Sequence, residues 1–288
     1  MDWIVGISDE ERTRGDFAPR TQSAAHAALQ EHGCVLLRGL FAPDEIDALH
    51  REFRAQYGAH DASGMAALAA RDGPNPILEV GPARYEITLR LQGAFADPAL
   101  FANPLLLGLA APLLGGDLRL SGMTAVVSYP GAALQHVHRD HPLLFARGGG
   151  VGSTLPAHAL NAAVPLIDVD LETGPTGVWL GSHRWAAEAQ MPDAETVTQV
   201  PLRRGDCLLL DYRVLHTGLP NRGAAVRPIL YMVYARSWFY DEINHLARPS
   251  LDMSPEQFAA LSPPHQQLLL RARIQNMRTA YFREREKP

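Results

Sequence analysis

Gln135-His136-Val137-His138-Arg139-Asp140 places an imidazole and a carboxylate two residues apart, at His138 and Asp140. Side chains alternate between the two faces of an extended strand, so both groups can reach one point in space. A second imidazole is available from His216, at the end of the apolar run 208–216. Two imidazoles and one carboxylate form the facial triad that suits Fe(II), because three positions of the octahedron stay open. The spacing therefore predicts a metal site built from two distant segments.

A His-x-Asp triplet is weak evidence by itself, since the chain has 12 His and 31 acidic residues. For His138 and Asp140 the alternative is a surface pair on a loop. For His216 the alternative is a core histidine bonded to a backbone carbonyl. His136 is a rival ligand, because strict alternation places it on the same face as His138 and Asp140.

Arg227 strengthens the metal interpretation. It lies near the start of the predicted buried strand 226–235. A guanidinium is costly to bury without a partner. It is also the side chain best shaped to bind a carboxylate through two parallel hydrogen bonds. An arginine one strand away from a metal is what a dicarboxylate co-substrate such as 2-oxoglutarate needs.

These motifs together resemble the phytanoyl-CoA dioxygenase family, over about residues 33–236. The matching positions are Gln135-x-x-His138-x-Asp140, Glu172-Thr173-Gly174-Pro175 leading to Gly181-Ser182-His183, and His216 with Arg227. The resemblance implies an Fe(II)- and 2-oxoglutarate-dependent oxygenase that consumes O2. It implies His138, Asp140 and His216 as iron ligands and Arg227 as the anchor of the distal carboxylate. It also selects His138 over His136, because the family histidine stands immediately before x-Asp.

Further contacts are expected around the two small molecules. For the co-substrate they are Gln135, Tyr129 and Thr217, and for the substrate they are His136, Asn161 and Arg90. The alternative for Gln135 and Asn161 is an amide at a strand end that satisfies backbone groups. For Arg84 and Arg90 a solvated strand face is the favoured alternative. Some relatives bind the co-substrate with a lysine from an earlier strand, but the single lysine here is Lys287, so another residue makes that contact or it is absent.

The strand pattern predicts the fold class. Short strands with turn residues between them indicate a barrel or sandwich, and the resemblance implies a double-stranded β-helix, the jelly roll of cupin-like proteins. We therefore expect one mainly β domain over 1–288 with flanking helices. Its jelly-roll core spans about 82–236, between a helical N-terminal part that starts with an irregular arm at 1–20 and a helical C-terminal extension. The glycine-rich segment 147–153 is a candidate lid over the substrate.

Composition limits the partners. The net charge is −5 without a basic run, which argues against nucleic acid. The longest apolar stretch, around 105–114, contains Pro112 and is too short to span a bilayer. No secretion signal begins the sequence, so a cytoplasmic monomer or homodimer that acts on a small molecule is expected.

The resemblance implies hydroxylation of an unactivated C–H in a small molecule, with a secondary metabolite as the expected substrate and succinate and CO2 as co-products. Desaturation or ring formation would use the same residues. Two other classes stay open: a cupin-like isomerase or hydrolase with another metal, and a non-catalytic metabolite sensor. Neither of them forms succinate. The lack of a basic patch disfavours a CoA ester, whose phosphates would need one.

Overall fold

The computed structural model describes residues 1–71, 75–145, 151–187, 189–245 and 248–285. Within these ranges the strands are β1 (Ile4–Gly6), β2 (Cys34–Arg38), β3 (Ile77–Gly81), β4 (Arg84–Thr88), β5 (Arg119–Ser128), β6 (Ala159–Pro165), β7 (Thr176–Val178), β8 (Thr198–Val200), β9 (Cys207–Asp211), β10 (His216–Gly218) and β11 (Arg227–Ala235). The α-helices are α1 (Asp9–Arg14), α2 (Pro19–His32), α3 (Pro43–Tyr57), α4 (Ala62–Ala69), α5 (Pro98–Phe101), α6 (Pro104–Leu114), α7 (Val151–Thr154), α8 (Glu242–His245), α9 (Pro255–Ala260) and α10 (Pro263–Arg285). Short 3-10 helices cover Gly93–Ala96, Ser182–Arg184 and Ala194–Thr196.

In the described part of the chain the strands form two sheets. The large sheet has the order β1-β2-β9-β6-β11-β5-β4-β3, and the small sheet has the order β10-β7-β8. The described strand pairs are antiparallel, apart from the parallel pair β1–β2. The central strands β6 and β9 are buried along their whole length, as their apolar sequences predict. The mainly β, jelly-roll prediction is confirmed.

The N-terminal residues belong to the fold, so the predicted irregular arm at 1–20 is wrong. β1 pairs with β2, and α1 begins at a capping box in which Ser8 and Glu11 satisfy each other's backbone N–H groups. A Ser followed three residues later by Glu is a known helix-start signal, and it was available in the sequence. Because β1, β2 and β3 all join the large sheet, that sheet extends beyond the predicted core of 82–236.

Helices pack against the large sheet, with α2 on β2 and α10 on β5. Residues 43–56 have a proline in the first turn and an apolar stripe, which predicts a helix, and α3 buries Ile46, Leu49 and Phe53 of that stripe. Pro112 lies inside α6 near its end and does not break it. The part of the candidate lid at 147–150 lies outside the described residues, and its remainder is in α7. In the described ranges, no helix combines the length and the apolar character needed to cross a membrane.

Gly33 gives a test of how tightly the N-terminal part is packed against the sheet. It ends α2 with a φ of +74°, and an added Cβ would meet the His183 ring and lie 2.6 Å from Val214 Cγ2. We expect Gly33→Ala to lower the free energy of unfolding by about 2–4 kcal/mol, because left-handed strain and a core clash add together.

Urea unfolding followed by circular dichroism measures this difference. The matched control is Gly108→Ala in α6, where an added Cβ meets no atom within 4 Å. Alanine there should be neutral or stabilise the helix by up to about 1 kcal/mol. Equal shifts of the two midpoints would contradict the packing argument.

Candidate metal centre

The ligand set expected from the sequence comes together in the structure. The ligating atoms of His138, Asp140 and His216 all lie within 4.8 Å of one another. His138 and His216 form a two-way backbone bridge, in which each N–H donates to the other residue's carbonyl at 3.0 and 2.9 Å. Their ring centroids are 4.3 Å apart, and His216 Nε2 lies 3.4 Å from Asp140 Oδ1. The bridge thus brings the two segments into one cluster.

Hydrogen bonds orient each ligand toward the centre. His138 Nδ1 lies 2.9 Å from the His136 carbonyl, and His216 Nδ1 lies 3.1 Å from the Val214 carbonyl. Each Nδ1–H donates to its carbonyl, which leaves each Nε2 lone pair available to a metal. Asn161 donates to Asp140 Oδ2 at 3.1 Å and fixes the carboxylate. Such outer partners set the tautomer and direction of metal ligands.

The electrostatics of the cluster suit a divalent cation. Burial, with a further contribution from His216, lowers the pKa of His138 to about 4. Burial acts to raise the pKa of Asp140, but its two histidine neighbours lower it overall. Burial acts to lower the pKa of His216, and Asp140 raises it overall. With both imidazoles neutral the cluster carries one negative charge, as metal coordination requires of these ligands.

The cluster opens into a cavity of about 520 Å³ whose walls come from both sheets. Arg84 and Arg227 line the same cavity and are each only 1% exposed. Both residues pair with Ser128 across β4, β5 and β11, so the two guanidinium groups flank one strand position. The cavity therefore combines a metal-binding cluster with two buried cations.

The two arginines have no acidic partner in the described ranges, where no carboxylate lies within 4.0 Å of either guanidinium. Arg227 donates to Ser128 Oγ, and Arg84 donates to Gln135 Oε1 at 3.2 Å and to two backbone carbonyls at 2.9 Å. The Nε of each arginine is buried and has no hydrogen-bond partner among the described residues. Burial and the charge of Arg227 lower the pKa of Arg84 to about 10, which leaves Arg84 cationic at neutral pH. Arg227 is cationic as well, because a guanidinium keeps its proton inside proteins. Buried charges of this kind call for an anion.

Gln135 and Thr217 connect the ligand segment to β10 at this end of the cavity. Thr217 Oγ1 donates to the Gln135 carbonyl at 2.7 Å, and Gly218 N donates to Gln135 Oε1 at 3.3 Å. A Cβ on Gly218 would overlap the Arg84 guanidinium, so glycine is needed there. Of the three residues predicted to contact the co-substrate beside Arg227, Gln135 and Thr217 line the cavity, together with Arg84.

Of the other predicted site residues, two line the cavity and two do not. His136 and Asn161 line the cavity, although His136 is not part of the metal cluster. The structure contradicts the prediction that Tyr129 contacts the co-substrate. Its hydroxyl donates to the His60 carbonyl at 2.9 Å. Ser128 takes the inward position, so alternation turns Tyr129 to the other face. The prediction that Arg90 contacts the substrate is also contradicted, since Arg90 lies beyond β4 and forms an exposed ion pair with Asp252 at 3.3 Å.

Several cavity residues were not predicted. Arg84 was assigned to a solvated face, yet the polar side of β4 faces the enclosed cavity, where Glu86 also lies. Asn244 and His245 arrive from the C-terminal part, and Asn244 Nδ2 donates to the Asp140 carbonyl at 2.8 Å. The alternation of β4 was the available signal for Arg84 and Glu86. No local pattern in the sequence indicated α8.

Comparison with known proteins places the chain in a family. Residues 29–229 match the model of the phytanoyl-CoA dioxygenase (PhyH) family. The chain is 28% identical over 256 residues to dioxygenase af480 of Aspergillus fumigatus, with 87% of this chain and 77% of that protein covered. It is 25% identical over 195 residues to the iron/alpha-ketoglutarate-dependent dioxygenase penM of Penicillium thymicola, with 66% and 60% covered.

A solved structure shows the same fold. The epimerase SnoN in complex with Fe3+, alpha ketoglutarate and nogalamycin RO matches with a TM-score of 0.55 and 22% identity, over 76% of this chain and 85% of that chain. The family match covers more than half of the 288 residues and includes the metal cluster and Arg227. The chain belongs to the phytanoyl-CoA dioxygenase family.

Proposed function

We propose that this protein is an Fe(II)- and 2-oxoglutarate-dependent oxygenase that hydroxylates a C–H bond of a small-molecule secondary metabolite. One observation carries the proposal: a two-histidine, one-carboxylate cluster and two buried guanidinium groups without acidic partners line the same cavity. The cluster suits Fe(II). The arginine pair suits the far carboxylate of a dicarboxylic keto acid.

His138, Asp140 and His216 would hold the iron through Nε2, a carboxylate oxygen and Nε2. With iron and 2-oxoglutarate bound, O2 would be the oxidant: one oxygen atom would go to succinate as 2-oxoglutarate loses CO2, and the other would convert the substrate C–H bond to C–OH. The chain's own residues position these molecules. Asn161 fixes Asp140 through its carboxylate, and Asn244 does so through its carbonyl.

Arg227 would anchor the distal carboxylate of 2-oxoglutarate, with Arg84 as a second cation on the other side of Ser128. Arg84 stands on a strand that precedes the ligand segment and supplies the positive charge that some relatives take from a lysine. Gln135 holds one edge of the Arg84 guanidinium, which limits its rotation. Tyr231 lines the cavity from the same strand as Arg227, and burial raises its pKa, so its hydroxyl stays protonated.

The relatives support the reaction class and the cofactors of this proposal. The proteins matched along the sequence carry the name dioxygenase, and penM is named iron/alpha-ketoglutarate-dependent. The structural match SnoN binds iron and alpha ketoglutarate. An isomerase or hydrolase that uses the triad without a keto acid would have no need for the two arginines, and a sensor would have no need to form succinate.

Metal binding should distinguish the true ligand from its neighbour. We expect His138→Ala to weaken Ni(II) or anaerobic Fe(II) binding by at least about 100-fold, because loss of a supporting partner alone costs roughly 10–100-fold. His136→Ala is the matched control, since its ring lies 4.9 Å from that of His138 but outside the cluster. Titration calorimetry measures both. Equal losses would contradict the ligand assignment.

Turnover should depend on the metal and on the keto acid. Purified protein with Fe(II), ascorbate and 2-oxoglutarate should form succinate, at a rate that rises when a substrate is present. Chelation of the metal should abolish it, and Fe(II) should restore it. Succinate can be followed by mass spectrometry. Metal-loaded protein that forms no succinate under any substrate condition would favour the isomerase, hydrolase or sensor class.

Arg227→Met separates a binding role from a structural one. Loss of a buried, hydrogen-bonded charge partner typically costs about 2–5 kcal/mol, so the KM for 2-oxoglutarate should rise roughly 30-fold or more. The unfolding temperature without ligand should hold or rise, because an unpaired buried charge is removed. The stabilisation that 2-oxoglutarate gives to Mn(II)-loaded protein should be lost.

Arg90→Met is the control for this variant, since Arg90 lies in an exposed ion pair outside the cavity. Its KM for 2-oxoglutarate should match that of the unmodified protein. An Arg227 variant that keeps its KM but unfolds at a lower temperature would assign the arginine a structural role.

A further inference from the structure

Glu86 places a carboxylate in the cavity that the proposed metal and co-substrate chemistry does not use. It lies two residues after Arg84 on β4, on the same inward face, and lines the cavity with the metal cluster. The two side chains do not pair with each other in the structure. Glu86 instead forms an ion pair with Arg248, in which Glu86 Oε2 lies 2.8 Å from Arg248 Nη2.

Glu86 lines the cavity, and its other carboxylate oxygen has no partner among the described residues. No described residue donates a hydrogen bond to Oε1, and the Glu86 side chain keeps 21% of its exposure. Apolar side chains surround this part of the wall: Leu78 and Val126 pair with Glu86 on the neighbouring strands, and Val80 and Ile243 also line the cavity. The carboxylate of Glu86 thus lies between apolar neighbours on both adjacent strands.

The C-terminal part of the chain completes this wall. His245 lines the cavity at 7% exposure, and its Nδ1 is buried without a partner among the described residues. Arg248 is 6% exposed and also donates to the Asn244 carbonyl at 3.1 Å. Burial and the charge of Arg248 lower the pKa of His245, so it is neutral. Both residues lie beyond residue 229, where the family match ends.

The charges around Glu86 restrict what it can bind. Arg248 neutralises the carboxylate, so a cationic ligand would gain little from Glu86 and would be repelled by Arg248. An anionic ligand would be repelled by the unpaired oxygen of Glu86, since Arg248 pairs with the other oxygen and does not line the cavity. A neutral hydroxyl can donate to Oε1 without a charge penalty, and hydrogen bonds to a charged acceptor are stronger than those between neutral groups.

We infer that Glu86 is a substrate-anchoring residue, which accepts a hydrogen bond from a hydroxyl group on a neutral, mostly apolar substrate. The inference deepens the proposed function, because it names the class of molecule that the oxygenase takes. The anchored hydroxyl sets which carbon of the skeleton lies beside the metal cluster. Arg248 is a positioning residue that holds the carboxylate and cancels its charge.

Binding of matched ring compounds tests the inference without turnover. The probes are cyclododecanol, cyclododecanone, cyclododecylamine and cyclododecanecarboxylic acid, with the eight-membered analogues as a smaller set. Dissociation constants are measured by saturation-transfer NMR, on metal-free protein and on protein loaded with Ni(II) and 2-oxoglutarate. The alcohol should bind roughly tenfold more tightly than the ketone, amine or acid, as one hydrogen bond to a charged group gives.

Two variants make the outcome specific to charge. Arg248→Met leaves the Glu86 carboxylate unneutralised, so the preference should move from the alcohol to the amine. Glu86→Gln combined with Arg248→Met removes both charges together, which avoids an unpaired buried arginine, and should reduce the alcohol preference to about twofold or less. Arg90→Gln, outside the cavity, should keep the preference of the unmodified protein.

The inference is overturned if alcohol and ketone bind equally, if the alcohol does not bind, or if the double variant keeps the full preference. A Ni(II)-loaded Arg248→Met protein without an increase in amine binding would also overturn it. Failure of the oxygenase proposal would look different, since it would abolish succinate formation while the alcohol preference of the metal-free protein persisted.

Discussion

The reciprocal backbone bridge between His138 and His216 is the contact on which the site depends. Two N–H to carbonyl hydrogen bonds join the ligand segment to the small sheet and set both imidazoles at one point. The same bridge continues through Thr217 and Gly218 to Gln135, and so to the Arg84 guanidinium. One short stretch of strand pairing thus fixes the metal ligands relative to the end of the cavity where Arg84 lies.

Charge balance explains why the cavity needs both of its proposed ligands. With both imidazoles neutral, as metal ligands must be, the ligand cluster carries one negative charge, and the arginine pair carries two positive charges in a cavity of about 520 Å³. Neither set is neutralised by the described protein groups around it. A divalent cation and a dicarboxylate together would satisfy both ends, whereas either alone would leave one end uncompensated. These uncompensated charges lie in a fold whose central strands, β6 and β9, are mainly apolar.

The metal cluster could be predicted because its spacing is local and its partner motif is distinctive. The strands could be predicted from apolar runs, as in β9, where the run Cys207–Asp211 is buried along its whole length. Arg84 could not be placed, because alternation identifies the polar face of β4 but not whether water or an enclosed cavity lies against it. That depends on the small sheet and α8, which are distant in sequence. Tyr129 was misplaced by a single residue of register, which turns a side chain to the opposite face.

In the proposed function, the arrangement of β4 separates the co-substrate from the substrate. Arg84 and Glu86 are two positions apart on one face, about 7 Å along the strand, and carry opposite charges. A direct pair between them would neutralise part of the anion site and weaken the binding of a dicarboxylate. Arg84 instead donates hydrogen bonds to Gln135 and to backbone carbonyls, and Glu86 pairs with Arg248. The arginine half lies within the family match, and Arg248 lies outside it, so substrate choice can change through the C-terminal part while the co-substrate half stays the same.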